Sequence, residues 1–150
     1  MVCATPSVVN GYVYFGTATF PAFYKLKPNG DLAWKFHLGS EDEKIRFQEM
    51  ESQGLIPRGG VYSSALVTKD SVYFGSVKGT AYCLDRKTGN ERWRVDSRAN
   101  GFPGKHHANV IMASPIFCKN QVIFAGGALE HAQPKDPKYE CCYGRGFVMA

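Results

Sequence analysis

A chain of 150 residues with a net charge of +5 has enough material for one domain with a core. No apolar run approaches the length of a membrane helix. Lys and Arg are spread along the chain without a block of five like charges, which argues against the concentrated basic footprint of a nucleic-acid binder. Ten Phe, eight Tyr and sixteen Gly favour strands and turns over helices. The opening Met1-Val2-Cys3-Ala4-Thr5-Pro6 lacks the basic and apolar regions of a secretory leader, and the chain reads as beginning inside a strand.

Residues 5–17 hold a small residue, an apolar run, an Asn10-Gly11 turn and the strand Tyr12-Val13-Tyr14-Phe15-Gly16. The pattern returns at 64–76 around Lys69-Asp70 and at 114–126 around Lys119-Asn120. Each copy predicts a hairpin. After the second hairpin, residues 79–95 predict another strand, a Thr88-Gly89 turn and a strand carrying Trp93. Residues 24–36 repeat this around Asn29-Gly30 with Trp34, one residue shorter in the turn. The third copy restarts at Gly146-Phe147-Val148-Met149-Ala150. The unit is four strands, repeating every ~50–60 residues. Four antiparallel strands per unit predict an all-β fold, a β-propeller of four-stranded blades, with about two and a half blades present. The expected layout is blade 1 at about 1–36, an insertion at 37–60, blade 2 at about 61–98, and blade 3 from about 108. The Trp closing each complete unit is placed to pack across to the neighbouring blade. Propellers close with about 4–8 blades, so this length is expected to be a piece of a ring.

Two insertions break the repeat. In 37–60, Ser40 with Glu43 fits a capping box, and a helix is predicted from Glu41 to Gln53, stopped by Gly54. Residues 127–145 form a long connection where the second unit needs only Ser76-Val77-Lys78. Long loops on a rigid scaffold are where sites are built.

That connection ends in Tyr139-Glu140-Cys141-Cys142-Tyr143-Gly144-Arg145-Gly146. Consecutive Cα atoms are about 3.8 Å apart, whereas a disulfide ordinarily spans about 4.4–6.8 Å. A bond between Cys141 and Cys142 therefore closes a tight eight-membered ring. Three states stay open for the pair: that ring, two inert thiols, or separate partners. Cys3, Cys83 and Cys118 lie among strand-like residues and are expected to be buried free thiols. A zinc site from His106, His107, His131 and the cysteines does not match finger spacing, and adjacent cysteines serve one tetrahedral ion poorly. Cys141 as a nucleophile with His131 as base is a further possibility of similar weight. Arg58-Gly59-Gly60 lacks the strand, loop and helix context of a phosphate cradle and reads as entry to a blade.

The stretch from Cys83 to Trp93 resembles the tryptophan-docking motif of pyrroloquinoline quinone (PQQ) repeat proteins, Ala-x-Asp-x-x-x-Gly-x-x-x-Trp, with Cys83 in the Ala place and Asp85, Gly89 and Trp93 in theirs. The repeats together look like the eight-bladed quinoprotein alcohol dehydrogenase propeller, and non-catalytic outer-membrane assembly proteins share them. Cys141-Cys142 followed by Arg145 looks like the cofactor loop of PQQ-dependent dehydrogenases, most nearly of the polyvinyl-alcohol dehydrogenase type. There a His, an Ile and a Ser-Pro precede the loop, matched here by His106 or His107, Ile111 and Ser114-Pro115.

The resemblance implies a vicinal disulfide of Cys141 and Cys142 lying flat on the quinone. It also implies Arg145 on a PQQ carboxylate or carbonyl, and Glu130 near the cofactor or orienting the loop. It further implies a calcium or lanthanide ion whose ligands, with the catalytic aspartate, come from later blades. The implied substrate is a small alcohol or sugar, the electron acceptor an external one such as a cytochrome, and the location periplasmic or secreted. No nucleic acid partner and no membrane span are expected. The alternative reading is a non-enzymatic propeller serving as an assembly or scaffold module.

Overall fold

The computed structural model describes residues 1–55, 59–97, 109–130 and 143–150. The strands form in chain order as three antiparallel sheets. The first holds β1 (Ser7–Val9), β2 (Tyr12–Gly16), β3 (Ala22–Leu26) and β4 (Leu32–His37). After helix α1 (Glu41–Ser52), the second holds β5 (Leu66–Val67), β6 (Ser71–Gly75), β7 (Thr80–Asp85) and β8 (Glu91–Asp96). The third holds β9 (Asn109–Val110), β10 (Ile116–Cys118), β11 (Gln121–Glu130) and β12 (Tyr143–Met149). In the first two sheets each strand pairs with its chain neighbour. In the third sheet β9 and β10 both pair with β11. Because β12 occupies the other edge of β11 at Gly127 and Ala128, β9 and β10 lie on one edge, an interrupted first strand.

Local chemistry explains the hairpins. Val9 pairs with Tyr12, leaving Asn10 and Gly11 as a two-residue turn with φ of 52° and 78°. Such turns need positive φ at both central residues, which Asn and Gly tolerate. Lys119 and Asn120 do the same between β10 and β11, at 47° and 64° without a glycine. The repeat extends to irregularities: the register shifts between Lys25 and Leu26 in the first sheet and between Cys83 and Leu84 in the second.

Alternation along the second sheet sends side chains to both neighbours. Val72, Phe74, Tyr82 and Leu84 join a core with Tyr14, Phe23 and Trp34 of the first sheet. Phe23 stacks on Phe74 at 4.1 Å between centroids, with the planes 8° apart. Tyr73 and Ala81 instead meet Ile111, Val122 and Phe124 on the third-sheet side. Fully burying one such side chain is worth about 1.5–3 kcal/mol, so these two seams hold the sheets together. Both tryptophans cross a seam. Trp34 Nε1 donates to the Arg86 carbonyl at 3.2 Å, and its ring lies against Gly89 so closely that a Cβ there would be 2.7 Å from Cδ2. Trp93 meets Phe124 edge-on at 6.3 Å.

Helix α1 is capped as expected. Ser40 Oγ accepts from the Glu43 N–H, and the Ser40 N–H donates to Glu43 Oε2, each at 3.2 Å. The helix ends at Ser52, with Gly54 beyond it at φ 72°.

Two expectations need correction. The long connection is shorter than 127–145, because β11 continues to Glu130 and β12 begins at Tyr143. Residues 127–130 find partners in 143–146, and β9 adds rungs at Gly127 and Ala128. Of the three thiols expected to be buried, only Cys83 is; Cys3 and Cys118 are free and exposed. Cys118 ends a short edge strand, and Cys3 precedes the first one.

Candidate functional site

The three sheets share one orientation, so their corresponding ends lie together. The β2–β3 turn, the β6–β7 turn and the β11–β12 connection all emerge at the same end, where α1 also follows β4. Residues 127–130 have no counterpart in the shorter sheets. From Ala125, the repeat equivalent of Gly75, β11 runs five residues further, about 16 Å at ~3.3 Å per residue. The paired strands β11 and β12 therefore extend well beyond the level of the neighbouring turn.

The base of this hairpin is locked to the second sheet. Ile111 follows β9, its N–H donates to the Ser76 carbonyl at 2.9 Å, and its side chain is fully buried. It fills the space a side chain at Gly75 would take: a Cβ there would fall 2.1 Å from Ile111 Cγ2. The same device joins the first two sheets, with the Val61 N–H donating to Thr17 O at 3.0 Å and Gly16 leaving room for Val61.

The register places two of the four expected site residues. Glu130 pairs with Tyr143 and Ala128 with Arg145, so the backbones of Glu130 and Arg145 stand two rungs apart at the far end of the hairpin. Cys141 and Cys142 lie outside the described residues, as do Arg58, His106, His107 and His131. Cys142 immediately precedes β12, so the chain leads from the pair into the strand that holds Arg145. Among the described residues no three His, Cys, Asp or Glu side chains gather in a metal-binding group, and no helix is long and apolar enough to cross a membrane.

Of the expected site residues, Arg145 has the donor chemistry that an anionic quinone requires. The guanidinium at 145 offers a permanently charged fork suited to carboxylate and carbonyl oxygens.

Sequence reasoning missed how α1 is fastened at this end. One Glu43 carboxylate oxygen completes the helix cap, while the other pairs with Lys78 of the β6–β7 turn. Lys78 Nζ also sits 5.0 Å from the Phe47 ring centroid. The capping box pointed to Glu43 as a cap, but its second partner is far along the chain and has no sequence signal. Nearby, burial pushes the Tyr82 phenol up from its ordinary value and the His37 imidazole down, the latter helped by Lys35 and Lys44.

The chain matches the PQQ_2 family model, described as outer membrane protein assembly factor BamB, over residues 3–100 and 24–125. It is 30% identical over 128 residues to quinohemoprotein alcohol dehydrogenase ADH-IIG of Pseudomonas putida, covering 85% of this chain and 16% of that protein. The solved structure of that organism's ADHIIG aligns with a TM-score of 0.60 and 29% identity over 85% of this chain and 17% of the other. BamB from Moraxella catarrhalis aligns with a TM-score of 0.53 and 14% identity, over 83% and 30% respectively; at that identity the likeness concerns the fold. The chain thus spans about a sixth of the length of the dehydrogenase it matches. With three four-stranded antiparallel sheets and a family match over most of its length, the chain belongs to the PQQ_2 family of propeller-type repeat proteins.

Proposed function

We propose that this chain is part of a PQQ-dependent quinoprotein dehydrogenase that oxidises alcohols or sugars. The observation that carries the proposal is the lengthened β11–β12 hairpin. Arg145 stands on its second strand, and in the sequence Cys141-Cys142 leads directly into that strand. The sequence identity with the alcohol dehydrogenase of Pseudomonas putida supports the same reading.

In this reading Cys141 and Cys142 close a vicinal disulfide that serves as a flat, rigid wall for the quinone ring. Arg145 donates hydrogen bonds to a carboxylate or carbonyl oxygen of the cofactor and holds positive charge where negative charge develops. Glu130, two rungs away, orients the loop. When bound, PQQ supplies the two-electron acceptor that protein side chains lack. A calcium or lanthanide ion belongs beside it, with ligands outside this chain. A cytochrome-like protein would receive the electrons, and an oxidising compartment such as the periplasm suits the disulfide.

The experiment uses the full-length protein containing this chain, loaded with PQQ and calcium or a lanthanide. Dye-linked alcohol oxidation is expected, and Cys142→Ser or reduction of the pair is expected to abolish most of it. Activity indifferent to both changes would remove the cysteines from the site. A second reading, a non-enzymatic assembly module, is favoured by the description of the matching family; absence of PQQ binding in the same preparation would select it.

A further inference from the structure

The end of the sheets opposite the β11–β12 connection carries a cavity of about 410 Å³ between the first two sheets. Lys25 lines it. This residue is only 8% exposed, and its ammonium donates to the Arg86 carbonyl at 2.9 Å. The ammonium also lies 4.4 Å from the Tyr12 ring centroid and 5.6 Å from that of Tyr14. An ammonium carries three N–H donors, and one is accounted for by a protein oxygen. The fold does not demand a lysine here. Lys25 pairs with Trp34 across β3 and β4, and the residue pairing with Trp93 in the second sheet is Cys83.

Charge around the cavity is unbalanced. Arg92 donates to Asp85 Oδ2 at 2.6 Å, and Asp70 also acts on its guanidinium through space. Asp85 Oδ1 is further taken up by the Lys87 and Thr88 N–H groups, both at 2.9 Å. Arg86 is held by Tyr14 Oη and the Thr68 and Lys69 carbonyls, all neutral. Thus Lys25, Lys69, Arg86 and Lys87 have no paired carboxylate among the described residues. Of these only Lys25 is buried; a buried charge without a counter-ion is costly, and a carbonyl and two aromatic faces offset that cost only in part.

The geometry points to an anion site here, with Lys25 at its base and Lys69 and Lys87 at its rim, that takes a phosphate group, free or carried on a small molecule. A compact dianion answers several cations at one point, and ammonium groups are effective point-charge partners for phosphate. The cavity leaves room for an organic substituent beside Tyr12.

Titration calorimetry of the full-length protein with inorganic phosphate and with glycerol 3-phosphate, against chloride at matched ionic strength, tests the site. Saturable binding is expected for at least one phosphate and not for chloride. Tighter binding of glycerol 3-phosphate identifies a carried phosphate, and equal binding a free one. Lys25→Met, with unchanged circular dichroism, is expected to weaken binding by about tenfold, the loss of one charged hydrogen bond. Lys69→Ala with Lys87→Ala, both exposed, is expected to weaken it several-fold and to reduce its salt dependence. Should Lys25→Met not fold, the surface pair decides. Heats no different from chloride, or affinity unchanged in the folded variants, would overturn the assignment.

Discussion

Replacing Gly75 by Ala tests the joint that supports the candidate site. Its Cβ would stand 2.1 Å from Ile111 Cγ2 and 2.6 Å from Ile111 Cβ, against about 3.5–4.0 Å for a comfortable carbon contact. Something must move by more than an ångström. Ile111 is fully buried and its N–H is fixed to Ser76 O, so neither its side chain nor its backbone has an easy escape. Overpacking of this kind costs about 1–3 kcal/mol, and the fixed backbone places Gly75→Ala toward the upper end. Ile111→Ala alone opens a cavity and costs about 2–5 kcal/mol. The double variant gives the added methyl room, so its loss should fall short of the sum by about 0.5–3 kcal/mol. Denaturant melts of the full-length protein and the three variants supply the cycle. PQQ affinity should fall with Gly75→Ala as well, because Val110, next to Ile111, pairs with Gly127 at the base of the hairpin. A Gly75→Ala protein within about 0.5 kcal/mol of the parent, or additivity within about 0.3–0.5 kcal/mol, would refute the joint.

Trp34→Phe removes the donor to the Arg86 carbonyl while leaving an aromatic ring against Gly89. Since Lys25 still donates to that oxygen, the loss should stay at about 1 kcal/mol, measured by thermal melting. Asp85 is held well below the usual carboxylate range, first by the Arg92 hydrogen bond and then by the Thr88 and Lys87 donors. A depressed folded-state value means the carboxylate's contribution is complete above the unfolded value of about 3.9 and is lost only as pH falls below it. Stability measured between pH 5 and 2 should therefore drop less steeply at acid pH in Asp85→Asn than in the parent.

What was legible in the sequence was what repeats. The hairpins at Asn10-Gly11 and Lys119-Asn120 follow from turn chemistry, and the tryptophans at 34 and 93 from their fixed distance behind a turn glycine. The capping box of Ser40 and Glu43 is equally local. Less legible was whatever depends on a partner distant in the chain. The hairpin appeared as a loop from 127 because Gly126, Gly127 and Gly144 weaken any strand signal. Its pairing becomes visible only when β9 and β12 lie on either side. Cys118 looked like a core residue from its apolar neighbours Ile116 and Phe117, yet all three are exposed, as an edge strand without a covering sheet allows. Lys25 gave no warning of burial, since lysines at strand ends are ordinarily solvated.

The departures from the repeat sort by end of the sheets, and this bears on function. At the end with the β11–β12 connection, the chain has added α1, tied by Glu43 to Lys78, and a hairpin carried about 16 Å past its equivalents. Neither addition is needed to form the seams, which rest on Phe23 against Phe74 and on Ile111 against Gly75. At the other end the turns keep their repeated length within one residue, and only side chains differ, with Lys25 standing where Cys83 stands. A repeat scaffold tolerates such changes because each sheet contacts only its neighbours. The rigid seams let one end carry the extended β11–β12 pairing on which the proposed function rests, while the opposite end gathers charge on turns of nearly unchanged length. That separation makes the two proposals independent: Lys25→Met leaves the hairpin's supports untouched, and Cys142→Ser leaves the anion cavity intact.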